Sequence, residues 1–160
     1  MSDVIIIGGG PAGSSIGSYL SMKGISNLIL EKENHPRPHV GESMVTSSTL
    51  VFDEIGFLPT MEKEAFVHKG GASWHEPGGR EFAIHFKELV REGIHQDYTY
   101  HVDRGKLDLL LLKHAEKLGS RVVQGVAVKQ ILFEDGKAVG VRVNLGDQEV
   151  DLHAKIVVDA

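Results

Sequence analysis

The 160 residues hold 17 Lys and Arg against 22 Asp and Glu, a formal net charge of −5 with no dense basic block, which argues against a nucleic-acid-binding protein. Cysteine is absent, so a disulfide framework and a thiolate metal site are both ruled out. With 41% hydrophobic residues and 24% charged ones, the chain has the size and composition of one α/β domain with a proper core.

The chain opens on Asp3-Val4-Ile5-Ile6-Ile7, a short unbroken apolar run of the kind a strand buried on both faces requires. It is too short, and lacks the basic leader, for a signal peptide or a membrane span, so a cytoplasmic protein is expected. Gly8-Gly9-Gly10-Pro11-Ala12-Gly13 follows and fits G-x-G-x-x-G, with Gly8, Gly10 and Gly13 as the fixed positions. A helical stretch comes next, with Ile16, Leu20 and Met22 among small residues and Gly24 closing it. Asn27-Leu28-Ile29-Leu30-Glu31 is a second apolar strand ending in a carboxylate. Gly8 permits a tight turn, Gly10 lets backbone approach a pyrophosphate, and Gly13 lets helix and strand pack closely. Unpaired N–H groups at the helix start favour the phosphates. Glu31 lies 18 positions past Gly13, close to the roughly 20 expected for a carboxylate that grips a ribose hydroxyl. Strand, glycines, helix, strand and acid together define a dinucleotide site.

Residues 32–43 hold two prolines flanking Arg37 and no apolar period, which makes an extended loop. By itself this is a plain connector; Arg37 and Glu42, next to the nucleotide fold, make it a candidate cofactor strap. Ser43 can cap a helix reaching about Ile55, with Leu50, Val51 and Ile55 on one face and Gly56 at its end. Leu58 to His68 reads as a turn and a half of helix. Lys69 to Glu76 reads as a strand, Pro77-Gly78-Gly79 as a hairpin turn, and Arg80 to Phe86 as its partner, where Phe82, Ile84 and Phe86 alternate with polar neighbours. This hairpin interrupts the nucleotide fold, so residues 65–100 are expected to form an inserted, substrate-side layer. Lys87 to Thr99 reads as a loop.

Asp103 can cap a helix whose Leu107, Leu110, Leu111, His114, Ala115 and Leu118 form one apolar face, ended by Gly119. Arg121-Val122-Val123 is a third parallel strand. Val126 to Phe133, Val139 to Val143 and Glu149 to His153 then form a three-stranded antiparallel meander, and Ile156 to Asp159 is expected to return to the parallel sheet near the glycine loop. The expected fold is therefore α/β: a Rossmann-like parallel sheet with an inserted β-hairpin and an antiparallel meander. Ending on an apolar strand without a polar tail, the sequence reads as the N-terminal portion of a longer protein. Nine histidines show no ligand spacing such as His-Glu-x-x-His, so no metal is expected.

This order of elements resembles the FAD-binding half of glutathione-reductase-like flavoproteins of the para-hydroxybenzoate-hydroxylase type, over essentially all 160 residues. The resemblance implies FAD as cofactor, with Glu31 on the AMP ribose, Arg104 near the flavin, Val126 against adenine, and Asp159 opening a second acidic motif. Two stretches narrow it. Pro36-Arg37-Pro38-His39-Val40-Gly41-Glu42-Ser43 is similar to the Pro-Arg-x-x-Val-Gly-Glu-Ser stretch of flavin-dependent halogenases. Phe66-Val67-His68-Lys69-Gly70-Gly71-Ala72-Ser73-Trp74 is similar to the segment carrying their active-site lysine, written Lys-x-Gly-Ala. Cofactor contacts are thus implied for Gly8, Gly10, Pro11, Ala12, Gly13, Glu31, Arg37, Gly41, Glu42, Ser43, Arg104, Val126 and Asp159, and a catalytic role for Lys69.

In the halogenase scheme, reduced FAD, dioxygen and halide give hypohalous acid, which a lysine steers to an electron-rich aromatic substrate, free or tethered to a carrier protein. A compact ammonium whose protonation responds to desolvation suits that task. On residue type alone Lys69 is an ordinary solvated lysine. No second G-x-G-x-x-G is present for a nicotinamide, so reduced flavin is expected from a separate reductase. The sequence departs from the halogenase pattern at His35, which stands where an aromatic or apolar residue commonly precedes Pro-Arg. The Trp-x-Trp-x-Ile-Pro element of the family falls beyond this stretch. Trp74 is a wall of the substrate layer or a core residue. The alternatives on the same fold are an aromatic hydroxylase or a geranylgeranyl-reductase-like enzyme, and a nucleotide-binding module without catalysis.

Overall fold

A computed structural model describes residues 2–88 and 97–160. It divides into two compact units, Met1–His39 with Arg104–Ala160, and Val40–Asp103.

The first unit is built on a four-stranded parallel sheet in the order β11-β1-β2-β7, from β1 (Val4–Ile7), β2 (Asn27–Glu31), β7 (Arg121–Gln124) and β11 (Ile156–Asp159). Register runs Ile5↔Leu28 on one side of β1 and Ile5↔Val157 on the other. The apolar run of β1 is unbroken because both faces are covered. Val4, Ile6 and Ile29 face α1 (Pro11–Met22) and α4 (Arg104–Leu118), packing with Leu112 and Ala115. Ile5, Leu28 and Leu30 face the meander of β8 (Val128–Glu134), β9 (Lys137–Leu145) and β10 (Gln148–His153), packing with Val141 and Val143. Period-2 alternation thus feeds two cores from one strand, each buried aliphatic side chain contributing about 1.5–3 kcal/mol. The meander and the return of β11 beside β1 agree with the sequence reading.

Helix α4 differs from expectation in which face it buries. Leu107, Asp108, Leu111, Leu112 and Ala115 are buried, whereas Leu110, His114 and Leu118 are only partly so. Asp108 takes a place on this face because Arg104, one turn earlier, neutralises it with two hydrogen bonds of 2.8 and 3.0 Å.

The second unit holds α2 (Thr46–Glu54), α3 (Leu58–Lys63), β3 (Val67–Lys69), β4 (Gly71–His75), β5 (Glu81–His85), a 3-10 turn at Phe86–Glu88, and β6 (Thr99–His101). The strand expected over Lys69 to Glu76 is two strands broken at Gly70. β3 pairs antiparallel with β6, and β4 with β5 around the Pro77-Gly78-Gly79 turn. Lys69 therefore ends a different strand from the hairpin it was expected to begin. Of the loop expected over Lys87 to Thr99, Thr99 instead opens strand β6, and residues 89–96 lie outside the described residues. Ser43 does not cap α2, which begins after Val45 with no side-chain cap. The helix buries Thr49 and Phe52, with Ile55 just past its end, rather than Leu50 and Val51. Phe82 is 61% exposed and pairs with Trp74, 53% exposed, across the hairpin; Ile84 and Phe86 are half-buried. Trp74 is thus no core residue of this unit. No helix among the described residues is long and apolar enough to cross a membrane.

Candidate functional site

In the first unit a cavity of about 420 Å³ opens at the carboxyl ends of the parallel strands, within the usual range for ligand pockets. Gly8, Gly10, Pro11, Ala12, Glu31, Arg37, Arg104, Val126 and Asp159 all line it. Gly13 lies just outside, at the crossing of α1 over β1, where a Cβ would meet the Gly8 carbonyl oxygen at 2.0 Å. Gly8 itself has φ +104°, and a Cβ there would strike the Ala160 carbonyl oxygen at 2.2 Å. These two glycines are demanded by the protein's own backbone. Gly10 is different: its φ is −70°, and a Cβ would find nothing closer than Arg37 Nη2 at 3.9 Å. Space kept clear at the start of α1, with no acidic residue in its first turn, is what a phosphate ester fills.

Glu31, 3% exposed, is fixed from two sides, Oε2 accepting from Gly9 N–H at 2.7 Å and Oε1 from Glu33 N–H at 2.8 Å. Burial pushes its carboxyl up, but the Glu33 and Gly9 N–H groups, with Arg37 and His35, outweigh this and hold it below the ordinary glutamate value. It is an anchored carboxylate with lone pairs left for hydroxyl donors. Arg37 lies 2.9 Å from the Glu33 carboxylate at the cavity wall. Arg104, 12% exposed, is held by the fully buried Asp108. Sequence reasoning missed Gly9 and Asp108. The signal for Asp108 was its i, i+4 spacing from Arg104; Gly9, whose Cβ would press on Glu31 at 3.0 Å, had none beyond the glycine run.

The remaining predicted residues, Gly41, Glu42, Ser43 and Lys69, belong to the second unit. Here Met44 N–H bonds Tyr100 O and Val102 N–H bonds Glu42 O, so the 42–44 segment lies against β6 opposite β3. Lys69 reaches across β6 and donates from Nζ to Ser43 Oγ at 2.9 Å and to the Met44 carbonyl at 3.0 Å. The ammonium also stands 5.4 Å from the centre of the Phe86 ring. It lines an open cavity of about 500 Å³ with Ser43, Ser73, His85, His101 and the backbone of the hairpin. Beneath β6, Thr49 and Thr99 share a buried hydroxyl pair at 2.8 Å, and Thr99 donates on to Val45 O. Glu62, also unforeseen, accepts from Tyr100, Tyr98 and His68. Burial, then the bond to Glu62, pushes the Tyr100 phenol well above its ordinary value and keeps it a donor.

A parallel sheet wound with helices on one face, a meander on the other, and a glycine turn with an anchored acid at its carboxyl edge defines a nucleotide-binding flavoprotein domain. The chain belongs to the FAD-binding domain family, whose pattern it matches over residues 1–160, and FAD is its cofactor. The cleared space at Gly10 and the anchored Glu31 fit that group. The chain is 43% identical to a 1H-pyrrole-2-carbonyl peptidyl-carrier protein chlorinase of Pseudomonas fluorescens, over 99% of this chain and 38% of the relative. It is 33% identical to a tryptophan 2-halogenase of Chondromyces crocatus, over 87% of this chain and 26% of that protein. The solved structure of the myxobacterial chondrochloren halogenase CndH superposes with TM-score 0.88 at 32% identity, covering 99% of this chain and 37% of that one. The chain thus spans less than two fifths of the length of these relatives.

Proposed function

We propose that this chain is the FAD-binding portion of a flavin-dependent halogenase acting on an electron-rich aromatic group, with a pyrrole-2-carbonyl thioester on a carrier protein as the favoured acceptor. What carries the reading is the environment of Lys69, an ammonium held at 2.9 and 3.0 Å on the wall of a cavity, in a chain 43% identical to a carrier-protein chlorinase. An exposed lysine with no task is not normally tethered by two acceptors, because holding it costs side-chain entropy.

Gly8, Gly10, Pro11, Ala12 and Gly13 would receive the pyrophosphate at their turn, Glu31 would accept from the ribose hydroxyls, and Val126 would pack on adenine. Arg37, Arg104 and Asp159, which line the same cavity, would surround the remainder of the cofactor. Bound and reduced by a separate reductase, FAD supplies the electrons that convert dioxygen, halide and a proton to hypohalous acid and water. Lys69 spends two of its three N–H donors on Ser43 and Met44. The third holds the oxygen of hypohalous acid while the aromatic carbon attacks the halogen. As the carbon–halogen bond forms, the halogen–oxygen bond breaks and the oxygen leaves as water, taking a proton from the Lys69 ammonium; the same ring carbon then loses its own proton, which restores the aromatic ring and returns a proton to the amine.

Lys69→Ala in the full-length enzyme is expected to keep its FAD absorbance while halide incorporation falls about 10²-fold or more, the scale of a positioned proton donor. Full halogenation by that variant removes Lys69 from the mechanism. Oxygen insertion without halogenation, with the wild-type enzyme supplied with chloride or bromide, assigns the chain to the hydroxylases instead.

A further inference from the structure

We propose that Ser43 is the positioning residue of Lys69 rather than a contact to the cofactor; this rests on the lysine reading given above. Ser43 and Lys69 are 26 residues apart in the chain, and neither spacing nor periodicity relates them. The structure joins them through β6: Lys69 leaves β3 on one side of that strand, and residues 42–44 lie along the other. Backbone bonds from Met44 N–H to Tyr100 O at 3.0 Å and from Val102 N–H to Glu42 O at 2.8 Å hold the 42–44 segment in register. Ser43 Oγ therefore presents its lone pair from a fixed backbone.

The Met44 carbonyl alone leaves the ammonium free to pivot about a single bond. With Ser43 Oγ as a second acceptor, two of the three N–H directions are set, and the third is aimed by tetrahedral geometry. Because Ser43 Oγ accepts from Lys69, its own O–H is turned away from the ammonium. A hydroxyl is the right group here. A carboxylate at 2.9 Å would lock the ammonium into an ion pair and compete with the ligand, whereas a neutral acceptor orients it without masking its charge. The hydrogen bond is charge-assisted, so its loss belongs to the stronger class of single deletions.

The test uses the full-length flavoprotein with Ser43→Ala and Ser43→Thr, and reads three quantities. These are bound FAD, chlorination of a pyrrole-2-carbonyl carrier-protein thioester, and the rate at which Lys69 is acylated by acetic anhydride, measured by mass spectrometry against the chain's other lysines. Ser43→Ala is expected to keep FAD, to lose about ten-fold in kcat with KM unchanged, and to raise Lys69 acylation several-fold as the amine is released. Ser43→Thr, which keeps the hydroxyl, restores both. Loss of FAD from Ser43→Ala overturns the proposal in favour of a cofactor contact. Unchanged Lys69 acylation in Ser43→Ala overturns it outright, even if the acceptor chosen is not a substrate. Survival of halogenation in Lys69→Ala sinks the lysine reading instead, and leaves the acylation comparison to judge the tether on its own.

Discussion

Gly10 and Gly13 are spelled alike in the motif, yet the structure gives them opposite tests. A methyl group at Gly13 meets the Gly8 carbonyl at 2.0 Å, so Gly13→Ala is expected to destabilise the fold by about 1–3 kcal/mol, visible as a lowered thermal midpoint. At Gly10 the backbone is ordinary and the nearest atom is a flexible Arg37 nitrogen at 3.9 Å. Gly10→Ala should therefore melt within about 0.5 kcal/mol of wild type and still lose FAD, since its methyl occupies the space kept for phosphate. A Gly10→Ala protein that retains flavin normally would contradict the cradle. Glu31→Ala is expected to weaken flavin retention by about 1.5–3 kcal/mol in a calorimetric titration, the scale of a hydrogen bond to a charged group. The carboxyl lies below its ordinary value of 4.5 when folded, so its stabilising effect is complete above that pH and fades as pH falls through the depressed value. Glu31→Gln should flatten that part of the acid profile.

Among the elements, α4 shows how a polar residue serves a cofactor site at a distance. Asp108 is fully buried and forks onto Arg104, which lines the nucleotide cavity. Asp108→Ala leaves that guanidinium without its buried partner and is expected to destabilise the domain by about 3 kcal/mol, with weaker FAD binding as well. Unfolding in urea and a flavin titration on the same sample separate the two effects; a stable variant with normal FAD affinity would show that Arg104 is held by other means. In the other unit, the break at Gly70 decides where Lys69 sits. Strand propensity runs through residues 67–75 with little interruption, so local pattern joined them. Pairing separates them, because β3 takes its partner from β6, thirty residues on, while β4 takes its partner from the next hairpin strand.

Among the described residues, the perturbed carboxylates all lie below their ordinary values. Asp3 is lowered first by its hydrogen bond to Lys155, Glu62 by that from Tyr100, and Asp151 by that from Arg142, and Glu31 is lowered too. Depressed folded values mean that the unfolded chain binds protons first, so the contribution of these carboxylates is lost on acidification. Thermal melts should change little on this account between pH 7 and about 5, and fall steadily below about pH 4. A midpoint constant down to pH 3 would contradict these pairings.

The amino-terminal nucleotide motif was legible because everything it needs is local. Strand, glycine turn, helix and strand occupy consecutive residues 3–31, and each is fixed by a period or a backbone requirement that the residue types themselves express. The meander and the return of Ile156–Asp159 were legible for the same reason, short alternating runs marked off by Glu134-Asp135-Gly136 and Leu145-Gly146-Asp147. Tertiary structure alone decided which face α4 buries, that Glu31 leans on Gly9, and that the Lys69 ammonium is tied to Ser43 and Met44. The Glu31 and Lys69 contacts depend on partners 22 and 25–26 positions away, brought together by strand pairing that no linear spacing encodes. On α4 the i, i+4 spacing of Arg104 and Asp108 is written in the sequence, but the burial of that pair is not.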